Sequence, residues 1–219
     1  MKRALMVLSC LWLSFGAVAA ETTAPPAQSP DQLVKTVSNR IIELIKANRD
    51  VYERDHQKLY AMVDKEVLPY FDFRVMSRAV LGRYWREANE EQRERFVKEF
   101  RDLLVRTYAT ALLKYNNEEI RLLPFRANPD DKQVLVRTEV VQPGGQNVPI
   151  NYSFYRSNPG WKVYDVSVGG VSLVTNYQTT YAEKIRAQGL DALIASLSDA
   201  NRRGQVDPNA IGPKASGGK

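Results

Sequence analysis

The sequence predicts an α+β protein: several helices, a twisted antiparallel sheet of about four strands packed against them, and helices again at the end. Three observations carry this prediction. Apolar residues recur every three or four positions from residue 31 to about 117. From about 118 to 169 the period shortens to two, and the runs are broken by Pro143-Gly144-Gly145 and Ser157-Asn158-Pro159-Gly160. After Gly169-Gly170 the helical period returns over 171–203. Helices set against a closely turned meander make the α+β arrangement.

The chain opens with Met1-Lys2-Arg3, an apolar run from Ala4 to Phe15, and Gly16-Ala17-Val18-Ala19-Ala20. A basic start, an apolar run too short to span a bilayer and a small-residue cleavage site predict a secretory signal peptide over 1–19, cut after 19 or 20. Cys10, the single cysteine, leaves with it, so the mature chain is expected to lack disulfides and thiol chemistry. Reading Cys10 as a lipoprotein cysteine fits poorly, because it would cut the apolar run in half. Loss of Lys2 and Arg3 lowers the net charge of +6 by two, to +4. Mild, dispersed basic charge favours anionic surfaces, and export argues against nucleic acid as the partner. No later segment is long and apolar enough to span a membrane. Export with no such segment predicts a soluble mature protein.

Residues 20–30 are a Pro-rich flexible lead, and residues 204–219 a Gly, Pro, Lys and Ser tail expected to be disordered. Between them a first helix is expected from Asp31, read as its cap, to Asn48. A second follows from about Asp55 to Val67, and a third, capped by Asp72, runs to Val80 before Gly82. The longest begins after Ala88-Asn89 and carries Phe96, Phe100, Leu103, Leu104, Tyr108, Leu112 and Tyr115 on one face. Strands are expected at 120–125, 134–141, 148–155 and 161–168, the first at an edge because of Pro124. Closing helices are expected at 171–188 and 190–202, parted by Gly189.

The chemistry-bearing residues are few. His56 is the only histidine and lies in the polar run Asp55-His56-Gln57-Lys58 at a helix start, where a solvated or capping role fits. No Gly-x-Ser-x-Gly elbow, zinc motif or phosphate loop occurs. Asp165, read by alternation on the face of Trp161 and Val163, and Asp72, between Phe71 and Phe73, are the carboxylates in apolar surroundings. A desolvated carboxylate can serve as a general base, whereas a hydrogen-bonded structural Asp165 and a capping Asp72 are the plainer readings. Arg74, Arg78 and Arg83 flank the oily segment and are either phosphate partners or solvated. Neither a catalytic nor a metal site is assigned, and no cofactor is expected.

Specific runs sharpen the reading. Leu68-Pro69-Tyr70-Phe71-Asp72-Phe73, Val80-Leu81-Gly82-x-Tyr84-Trp85-Arg86-x-Ala88, Gln92-x3-Phe96-x3-Phe100 and Thr107-Tyr108-x3-Leu112 are followed by Trp161-Lys-Val-Tyr-Asp-Val-Ser-Val-Gly-Gly-Val-Ser-Leu-Val-Thr-Asn-Tyr177. In that order they resemble the MlaC, or toluene-tolerance, family across residues 31–203. The resemblance implies a periplasmic phospholipid carrier serving outer-membrane lipid asymmetry, with bound phospholipid as cargo. It further implies an inner-membrane ABC transporter complex with an MCE subunit, and an outer-membrane lipoprotein-porin complex, as docking partners. A monomer without catalysis is expected. On that reading the lipid-facing wall comprises Phe73, Met76 and Leu81, with Phe100, Leu104, Tyr108 and Leu112 of the long helix. Val136, Tyr152, Phe154, Tyr164, Val166 and Val168 come from the sheet; by alternation Phe154 shares a face with Tyr152, and Tyr164, Val166 and Val168 share another. Val171, Leu173 and Val174 complete the wall. The competing functions are a cone-fold enzyme using Asp165 and a periplasmic adaptor or chaperone with a solid core.

Overall fold

The computed structural model describes residues 28–207 apart from positions 116, 129 and 143. The expected signal peptide, positions 20–27 of the lead and positions 208–219 of the tail lie outside the described residues.

Helix α1 spans Pro30–Arg54. Pro30 takes the first helical position, where its missing N–H is no loss. Ser29 holds the cap position expected of Asp31, which lies in the first turn instead. The expected end at Asn48 is a kink: Asn48 leaves helical geometry at φ −130°, its amide donates to Leu44 O at 3.0 Å, and the helix resumes to Arg54. Helix α2 spans His56–Glu66, started by the Asp55 carboxylate, which accepts from the Gln57 N–H at 3.0 Å. A short 3-10 turn, Leu68–Tyr70, leads to α3, Phe73–Leu81. Asp72 caps α3 by accepting from the Val75 N–H at 2.9 Å, as expected. Gly82, at φ 54°, then permits a break that an L side chain would resist, and a five-residue helix, α4 (Arg83–Glu87), follows. Helix α5, Glu90–Leu112, opens with a reciprocal capping box between Asn89 and Gln92.

The sheet is an antiparallel meander of five strands in chain order: β1 Glu119–Leu122, β2 Gln133–Val141, β3 Val148–Ser157, β4 Gly160–Val168 and β5 Val171–Ser172. The fifth strand corrects the expected four. Gly169 and Gly170, at φ 60° and 84°, turn the chain tightly enough to pair Val171 with Val168 and Ser172 with Ser167. Val171 is therefore a strand residue, and α6 begins at Leu173 and runs to Gln188. Strand β1 stops before Pro124, which has no N–H to give the ladder. Helix α7, Leu190–Arg202, follows the break at Gly189.

Two apolar clusters hold these layers together. The smaller joins α1, α2 and α5 through Ile41, Ile45, Leu59, Met62, Val63, Val105 and Ala109. The larger lies between the sheet and helices α1, α3, α5, α6 and α7. Asn201 of α7 is tied to α5 by donating to Glu99 O at 2.9 Å and Glu99 Oε2 at 2.8 Å. Among the described residues no helix is long and apolar enough to cross a membrane.

Candidate functional site

The sheet register determines what faces the helices. Val134, Phe154 and Val163 form one cross-strand row, Val136, Tyr152 and Val166 the next, and Thr138, Ile150 and Val168 a third. Alternation on β4 is interrupted: Phe154 pairs with Val163 and Ser153 with Asp165, so Tyr164 is an extra residue in a bulge. The bulge turns Tyr164 to the outer face, where its ring lies 6.2 Å from Tyr155 and its hydroxyl 3.4 Å from Gln133 Oε1. Tyr164 thus does not share a face with Val166 and Val168, and Asp165 does not share one with Trp161 and Val163, contrary to simple alternation.

Asp165 stands instead at the start of α6. It accepts the Ser172 hydroxyl at 2.6 Å and the Val174 N–H at 3.1 Å, while Ser172 Oγ accepts from the Thr175 N–H. Its oxygens are spent on a helix N-terminus, the placement that suits a carboxylate. Asp72 is similarly engaged: the Tyr155 hydroxyl donates to it, and its N–H donates to Val163 O at 2.9 Å. The hydrogen bond from the Tyr155 hydroxyl to the Asp72 carboxylate is the main reason the Tyr155 phenol is raised above its ordinary value. These contacts, with a parallel bridge between Phe71 and Val163, fasten the start of α3 to β4. His56 is exposed at the start of α2, near Tyr60. Among the described residues no cluster of His, Cys, Asp or Glu is arranged to hold a metal.

The inner face is uneven. Val136, Phe154, Val163 and Val166 are buried, as are Met76, Leu81, Phe100, Leu104 and Leu173 opposite them. Val134, Ile150, Tyr152 and Val168 are only half-buried, as are Phe73, Tyr108 and Val174. Tyr152 is the informative residue. Protein surrounds it closely enough to push its phenol up to about 12 by burial, tempered by a hydrogen bond with Thr138, yet it retains accessible surface. Tyr152, Ile150 and Val168 thus leave part of the inner face open to a ligand or to water, unlike Val136 and Phe154 beside them.

Besides Tyr164, two further expected wall residues lie elsewhere. Leu112 packs with the α1–α2–α5 cluster, and Val171 is 47% exposed on β5. Conversely, Tyr177 and Tyr181 were not among the expected wall residues, yet they are 1% and 2% exposed. Their rings meet Phe100 edge-on at 5.2 and 6.1 Å, and Tyr181 meets Phe96 at 6.0 Å. Burial, with the Asp207 carboxylate adding to it, raises both phenols far above the ordinary range. The spacing Leu173, Tyr177, Tyr181, Ile185 is a helical stripe that marks them in the sequence.

An antiparallel sheet whose apolar face packs against helices, with several inner-face side chains only half-buried, defines an α+β protein. The sequence profile of the MlaC protein family matches residues 35–199, and the chain belongs to that family. It is similar to the intermembrane phospholipid transport system binding protein MlaC of Haemophilus influenzae, 29% identical over 181 residues, covering 81% of this chain and 85% of that protein. It is also similar to the toluene tolerance protein ttg2D of Pseudomonas putida, 28% identical over 166 residues, covering 75% and 77%. Among solved structures, a phospholipid-binding protein from Ralstonia solanacearum in complex with a phospholipid superposes with a TM-score of 0.74. It is 32% identical, and the match covers 81% of this chain and 99% of that one.

Proposed function

We propose that the chain is a phospholipid carrier that shelters acyl chains in the sheet-facing interior while the lipid passes between membranes. The observation that carries this is the half-accessible apolar inner face around Tyr152, on a fold that in the Ralstonia solanacearum relative holds a phospholipid. Each methylene exposed to water costs about 0.8 kcal/mol, so one sixteen-carbon chain costs on the order of 10 kcal/mol. Replacing bilayer contacts by Val, Ile, Phe and Tyr walls removes most of that barrier without covalent chemistry. No catalytic step is required, and the engagement of Asp165 at the α6 N-terminus supports a carrier over an enzyme.

The signal-like N-terminus supports a periplasmic site of action. Family membership supports an inner-membrane ABC transporter complex with an MCE subunit, and an outer-membrane lipoprotein-porin complex, as the donors and acceptors of cargo. The test is native mass spectrometry of the protein purified without detergent, with organic extraction of the same sample. Added mass that extracts as phospholipid is the expected result. A bare mass with no uptake from liposomes would favour the solid-core adaptor instead.

A further inference from the structure

The break at Gly82 leaves a surface cleft of about 380 Å3 between the α3–α4 corner and α6. Arg83 and Tyr84 line one side, Gln178, Ala182 and Arg186 the other, and buried Leu81 separates the cleft from the interior. Arg83 is held in place: its Nη2 donates to the Tyr84 hydroxyl at 2.8 Å, and its guanidinium lies 4.8 Å from that ring's centroid. Among the described residues neither Arg83 nor Arg186 is ion-paired, whereas nearby Arg74 and Arg93 both reach Glu90, at 2.6 and 3.3 Å. Arg78 and Arg86, exposed on the same corner, are likewise outside any ion pair. Glu87, on α4, acts electrostatically on Arg83 without closing an ion pair to it, and Glu183, on α6, closes none to Arg186.

Two guanidinium groups and a phenol around one concave opening suit a phosphodiester. Its two non-bridging oxygens diverge and accept from two forks, where a single carboxylate is satisfied by one. The cargo's own headgroup is badly placed to fill the cleft. Tyr177, Tyr181 and Ile185 form the inner stripe of α6, and Gln178, Ala182 and Arg186 lie one residue on, roughly 100° around the helix. We propose that this cleft docks the headgroup of a lipid still resident in an anionic bilayer, gripping its phosphodiester between Arg83 and Arg186. The docking rests on the carrier reading for its purpose, since it would set the protein on the surface from which lipid is taken or to which it is returned.

The test is co-sedimentation of the full chain with vesicles of one part phosphatidylglycerol to three parts phosphatidylethanolamine at low salt. The double variant Arg83→Gln/Arg186→Gln is expected to bind about thirtyfold more weakly, at about fivefold per basic residue near an anionic surface. Arg54→Gln/Lys58→Gln removes the same charge from the α1–α2 corner and is expected to stay within about twofold of the parent. Extractable lipid should be equal in all three proteins, so failure of the cleft and failure of the carrier reading are separable. Equal losses in the two double variants would overturn the proposal in favour of net charge. Complete displacement of vesicles by millimolar inorganic phosphate would overturn it in favour of a small-anion site. Absence of vesicle binding, with a Glu-rich peptide instead perturbing Arg83 and Arg186, would overturn it in favour of a protein partner.

Discussion

The α1–α2–α5 corner and the sheet-facing interior are built from the same aliphatic and aromatic residues, but they finish differently. In the corner, helices approach one another directly and Leu59, Ile45 and Ala109 are 0–2% exposed. Facing the sheet, helices α3, α5 and α6 cover Val136 and Phe154 but leave Ile150, Tyr152 and Val168 half-accessible. Helices in mutual contact can interdigitate to native density, whereas a twisted sheet under helices leaves space where the covering elements end. Hydrophobicity alone therefore does not distinguish core from container. What covers each residue does.

Paired truncations break this comparison most directly. Leu59→Ala should destabilise the lipid-free protein by about 3 kcal/mol, because it opens a cavity in a filled region. Ile150→Ala should cost under about 1 kcal/mol, because its side chain is only half-buried and less apolar area is lost. Urea unfolding of both variants checks this, and similar losses would show the two regions to be equally packed. Asp165→Asn should come next, at about 1 kcal/mol, through a weakened α6 cap. Thermal melts read the loss, while lipid content should persist once the protein is folded.

The attachment of α7 sharpens the comparison through pH. Burial would raise the Glu99 carboxyl, but hydrogen bonds from Asn201 and Lys98 outweigh it and hold the group below its ordinary 4.5. A depressed folded value means that its stabilisation is complete above pH 4.5 and fades as pH falls through the lower folded value. Melting temperature followed from pH 6 to 3 should therefore fall less steeply in Glu99→Gln than in the parent. The smallest effect is expected from Tyr181→Phe, within about 1 kcal/mol and toward stabilisation, because the buried hydroxyl removed closes no hydrogen bond.

Much of this was legible in the chain. Step-three and step-four spacing located the helices, and turn residues located the hairpins, because local periodicity survives into the fold. The MlaC resemblance was legible in long ordered motifs. The wall was read less well for identifiable reasons. A bulge of one residue moved Tyr164 to the outer face, and period-two reasoning has no means of seeing such an insertion. Leu112 follows the apolar face of α5, but that helix is long enough to serve both clusters in turn. Val171 was read as helical because Gly169-Gly170 signals a turn without saying whether a strand or a helix follows.

The most direct measurement fills the interior without disturbing the corner. Ile150→Trp places a large ring on the half-accessible inner face next to Thr138 and Val168 in the ladder. Phospholipid extracted per mole of this variant, with its melting temperature alongside, tests whether the inner face is the container. The account predicts a folded protein carrying markedly less lipid. A folded variant carrying as much phospholipid as the parent would contradict it and move the acyl chains elsewhere on the molecule.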